Sequence, residues 1–88
     1  MCTYVTEKAK IKGSGKGPKG WFPVTEARVY YDHPFHHPAD HTLNIDLINQ
    51  GMGLDARVAV ELTEESARAL VTAINAALET GEYLHAAN

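Results

Sequence analysis

The chain has 88 residues, of which 44% are hydrophobic and 22% charged, with seven Gly, four Pro and one Cys. That is one domain of ordinary globular composition, which excludes a disordered tail, a collagen-like repeat and a disulfide scaffold. The net charge of −3 is unevenly placed: residues 1–20 carry five Lys against Glu7, and the remainder carries three Arg against ten carboxylates. An acidic body with a basic N-terminal edge is a poor general nucleic-acid binder. The longest apolar run falls far short of the ~20 residues of a transmembrane helix. Lys8, Lys10 and Lys12 stand where the apolar segment of a signal peptide would be. The single cysteine fits a reducing, cytoplasmic setting. A chain this short buries only about 60–65% of its unfolded surface, so a homo-oligomer is expected.

Thr3 to Lys12 alternates, with Val5, Ala9 and Ile11 opposed to Thr6, Lys8, Lys10 and Lys12, which is strand periodicity. Residues 13–20, GSGKGPKG, read as a flexible loop unable to hold a strand. Val24 to Tyr31 alternates again, and residues 33–40 form a loop punctuated by Pro34 and Pro38. His41 to Leu47 sets Leu43, Ile45 and Leu47 against Thr42, Asn44 and Asp46. A turn over residues 51–55 leads to a fourth strand, Ala56 to Leu62. Thr63 is placed as a helix N-cap, with Glu64 and Glu65 in the first turn, where the helix dipole favours carboxylates. Ala67, Leu70, Val71, Ile74 and Leu78 form an apolar stripe, and Gly81 stands where a left-handed cap would end the helix. The expected fold is α+β: a single four-stranded antiparallel sheet covered on one face by a C-terminal amphipathic helix, ββββα, over residues 1–88. The other sheet face would present Lys8, Arg28, Asp46, Arg57 and Glu61, either to solvent or to a neighbouring subunit.

Four of the five histidines fall within nine positions, in the link Asp32-His33-Pro34-Phe35-His36-His37-Pro38-Ala39-Asp40-His41. Proline favours the second position of a type I turn, and two such turns fit end to end here. The spacing supports two units. His33, His36 and His41 form a metal clamp, and His37 with Asp40 forms an imidazole–carboxylate pair. Neutral imidazole suits Zn foremost, with Fe, Ni or Cu as alternatives. Asp40 or His37 would move a proton, or orient a ligand from behind. Asp32 could serve similarly. The bland alternative is a rigid connection whose imidazoles cap turns and face water. HExxH and the zinc-finger spacings are absent.

Cys2 is either a fourth ligand completing that site or an inert thiol. As a ligand it requires the first strand to start beside the end of the second. Its place after Met1 also resembles the start of the N-terminal nucleophile hydrolases, although 88 residues cannot build their four-layer fold. Gly15 to Gly20 matches GxGxxG as a string, but Trp21-Phe22-Pro23 and a strand follow it where a dinucleotide site needs a helix. What remains is an anion site: Lys16 and Lys19 attracting an anionic small-molecule substrate, Trp21 a stacking platform, and the loop either a lid or a plain hairpin.

The segments MCTYVTE, GSGKGPKGWFP, YDHP and HTLNID resemble a short bacterial family of unknown function, and the resemblance spans most of the chain. It implies a small soluble protein and brings no activity. Taken together, the residues point first to a small metal-dependent enzyme of lyase, hydrolase or isomerase type. The alternatives are a non-enzymatic oligomeric binding or accessory protein, or an anion-binding module built on the Gly/Lys segment. No membrane partner is expected.

Overall fold

Four strands and one long helix follow one another along the chain: β1 (Val5–Gly17), β2 (Gly20–Asp32), β3 (Thr42–Ile48), β4 (Arg57–Leu62) and α1 (Glu64–Ala87). The computed structural model describes residues 5–32 and 41–87. The strands form one antiparallel meander in the order β1-β2-β3-β4. The ββββα expectation therefore holds. Register follows the alternation: Ala27 pairs with Leu47 and Val29 with Ile45, and Ile45 pairs with Val60. One face thereby collects apolar side chains, while the Lys8–Arg28 and Arg28–Asp46 pairs run across the other.

The glycine-rich segment does not form a loop. Gly13 to Gly17 continues β1 and pairs with residues 20–24 of β2, so the turn shrinks to Pro18 and Lys19. Low strand propensity is overridden because the segment opposite, residues 20–24, offers a partner strand in register. Between Lys10 and Gly13 the register slips by one, leaving Ile11 and Lys12 opposite Thr25. Such a bulge bends and twists the ribbon. Phe22 and Val24 share sequence parity with Arg28 and Tyr30, yet they pack with Ala56, Leu47 and Val58. The outer half of the hairpin has thus turned over relative to the inner half and folds across the start of β4. At Gly17 the approach is so close that a Cβ would stand 2.9 Å from the Asp55 carbonyl oxygen. Gly20, at φ +106°, closes the turn in a region that L side chains avoid.

The buried apolar core among the described residues is small: Phe22, Val24 and Ala56, with Leu47 and Val58 against them. The β3–β4 connection is pinned by Asn49, whose side chain accepts from Gly51 N and donates to the Pro23 carbonyl at 2.8 Å. Thr63 caps α1 as its sequence position implies, its Oγ1 accepting from Ser66 N at 3.1 Å. The helix does not stop at Gly81, which lies inside it without a left-handed φ. A lone glycine costs only about 1 kcal/mol in a helix and does not end one unless it adopts the cap conformation. The helix covers the sheet only in part. Ala67, Leu70, Val71 and Ile74 line a groove with Val29, Leu43 and Ile45, while the stripe beyond stays in water.

Candidate functional site

The link between β2 and β3 carries most of the sequence-derived candidates, and His33, His36, His37 and Asp40 lie outside the described residues, as does Cys2. The register does satisfy the condition set for Cys2, because Val5 pairs with Tyr31 and the start of β1 therefore adjoins the end of β2. His41 is described. It immediately precedes β3, is half-buried, and stacks on Tyr31 with ring centroids 5.5 Å apart and planes 13° from parallel. Tyr31 pairs with Leu43, so His41 sits on the apolar parity, as its alternation implied. Among the described residues no group of three or more His, Cys, Asp or Glu could hold a metal ion.

Lys16, Lys19 and Trp21 occupy the tip of the β1–β2 hairpin, at the opposite end of β2 from His41. The extended β1–β2 ladder turns successive backbone amides to opposite sides, so they do not converge as an anion cradle would need. Lys19 bonds Asp55 at 2.9 Å, and with Trp21 and Met52 it borders a hollow of 120 Å³. The tip is therefore a braced hairpin end over the start of β4.

The polar sheet face holds the best-formed arrangement. Alternation brings Tyr30, Asn44, Asp46, Arg57 and Glu61 around one cavity of 370 Å³. Asp46 is its hub. One carboxylate oxygen accepts from Arg57 at 3.0 Å, and the other accepts from the Tyr30 hydroxyl at 3.2 Å. Beside it Arg28 is bonded to Glu26. Burial raises the Tyr30 pKa, and the charge and hydrogen bond of Asp46 raise it further. The phenol therefore keeps its proton well beyond neutral pH and acts as a donor. The hydrogen bond to Asp46 pushes the Arg57 guanidinium up, with burial opposing. Deeper on the same parity, Thr42 is fully buried and donates to Asn44 Oδ1 at 2.9 Å. Such a face offers donors and acceptors in fixed positions.

A family model described as a family of unknown function, DUF6295, matches residues 1–87. The chain belongs to that family. No curated protein and no solved structure matches it. In this DUF6295 member, sequence parity marks Arg28, Asp46, Arg57 and Glu61 as one face, but it missed Tyr30, Thr42 and Asn44 as parts of the site. Tyr30 was visible in principle, since it shares parity with Arg28, two residues away. The burial of Thr42 and Asn44 carries no sequence signal, because small polar residues in a strand usually face water. No described helix of this family member is long and apolar enough to cross a membrane.

Proposed function

We propose that the chain is a non-enzymatic binding or accessory module, cytoplasmic and homo-oligomeric, which receives its partner on the polar sheet face. The Tyr30–Asp46–Arg57 set carries this reading. Its carboxylate accepts from two donors and its phenol stays protonated, so the set presents hydrogen-bonding groups in fixed positions. Glu26, Arg28, Asp46, Arg57 and Glu61 mix both signs on one surface. A small anion would meet carboxylates there, whereas an extended polypeptide segment carrying both acidic and basic residues finds a partner for each. A linear-peptide display selection on the wild-type chain and on Asp46→Ala tests this. The expected result is mixed-charge peptides enriched by wild type and lost with Asp46→Ala. No enrichment, or enrichment indifferent to that change, contradicts it.

One observation keeps the metal-dependent enzyme as a second reading: the stack on Tyr31 fixes the His41 ring where the histidine link enters β3. In that reading His33, His36, His41 and Cys2 hold a divalent ion, zinc foremost, and Asp40 or His37 moves the proton. Elemental analysis of untagged protein separates the readings. Stoichiometric metal, lost when His33 and His41 are changed to Ala, supports the enzyme. Metal-free protein after add-back removes it.

A further inference from the structure

The surface of the folded chain is too large for its mass. A monomeric protein of 9.6 kDa exposes about 5,100 Å², whereas this chain exposes 6828 Å², an excess of about 1,700 Å². Its radius of gyration is 15.0 Å, against about 12 Å for a compact domain of this length. Among the described residues, α1 carries the longest run of exposed large apolar side chains. Leu70, Val71, Ile74, Leu78 and Leu84 are 42–61% exposed, along a helix about 36 Å long. The first half of this stripe forms one wall of an apolar groove of 350 Å³ whose other wall is the sheet face of Val29, Leu43 and Ile45.

We propose that a second copy of the chain covers this groove, with the two α1 helices packed antiparallel about Ile74. The area fits: each partner of a standard interface hides about 800 Å², which the excess surface accommodates. The stripe is also self-complementary, as a two-fold contact demands. Reflection about Ile74 sets Ile74 on itself, Leu70 on Leu78, Val71 on Ala77 and Ala67 on Gly81, so within residues 67–81 large apolar residues meet large or small apolar ones, and only the outlying Leu84 comes level with a charge, Glu64. Gly81, inside the helix with open space around it, then marks the closest approach of the two backbones. The flanking charges agree, since Arg68 comes opposite Thr80, between Glu79 and Glu82. Antiparallel alignment also sets opposite helix ends together.

This inference rests on the oligomeric half of the proposed function and is independent of what the polar face binds. The test uses the full untagged chain and two variants. Ile74→Glu places a charge at the two-fold contact. Gly81→Leu keeps the helix and fills only the space that the partner occupies. Light scattering after size exclusion is expected to give a dimer for wild type and at least a tenfold weaker dimer for each variant. If a variant unfolds when it dissociates, the wild-type melting temperature must rise with protein concentration. Cross-linking checks the register: in a Cys2→Ser background, Ile74→Cys should be joined by a short bismaleimide and Ala76→Cys, on the other side of the helix, should not. A monomeric wild type overturns both this inference and the oligomeric reading. A dimer indifferent to both variants, or joined equally at both cysteines, overturns this interface alone.

Discussion

Asp46 is the residue on which the polar face turns. It reaches Arg57 from β4 and Tyr30 from β2, so one side chain ties three neighbouring strands. Arg57 is half exposed, which discounts the ion pair to a fraction of a kcal/mol, while the phenol hydrogen bond is more sheltered. Asp46→Ala is expected to cost about 1–2 kcal/mol in urea unfolding. It should also lower the Tyr30 pKa without returning it fully to the ordinary value, because burial is the largest cause of the shift. The pH dependence follows in sign. A folded pKa raised above the unfolded value gives stability that is fully present below about pH 10 and is lost as pH rises through the folded value. The wild type should therefore lose stability relative to Tyr30→Phe in that alkaline window and not below it. A stability difference between the two that is flat through alkaline pH would show that Tyr30 is not held by Asp46.

At the level of elements, hydrophobic alternation alone makes the sheet legible: β3, β4 and the inner halves of β1 and β2 follow from period-two patterning, and Thr63 with Glu64 and Glu65 marks the start of α1. The two misreadings have one cause. Local preference at the glycines of residues 13–17 and at Gly81 points to a loop and to a helix stop, while the outcome is set by partners. The strand opposite rescues the first, and uninterrupted helical bonding carries the second. The hairpin's fold across β4 was not legible either, because a one-residue slip between Lys10 and Gly13 leaves no mark in composition. It has a sharp consequence. Gly17→Ala brings a methyl 2.9 Å from a backbone oxygen, whereas the same change at Gly13 meets nothing within 4 Å. Thermal or urea unfolding should show Gly17→Ala destabilised by about 1–3 kcal/mol and Gly13→Ala within about 0.5 kcal/mol of wild type. Equal effects would mean that the hairpin tip does not cross the start of β4. Of the candidate site, parity exposed the charges of the polar face but gave no hint that Tyr30 and Arg57 converge on one carboxylate, which is a property of register.

For the whole molecule, the sequence already argued that 88 residues are too few to bury much surface. The fold gives that argument a location. A small core lies under the folded hairpin around Phe22, Val24 and Ala56, and the apolar face of α1 is left to be covered from outside. The polar face and the helix stripe lie on opposite sides of one sheet, so pairing through α1 leaves the Asp46 cavity open on each copy. Sedimentation equilibrium of the full untagged chain over a range of micromolar concentrations tests this most directly. The expected mass is about 19 kDa, twice the 9.6 kDa of one chain, shifting toward the monomer only on dilution. A mass of 9.6 kDa at every concentration, with a melting temperature independent of concentration, would contradict it.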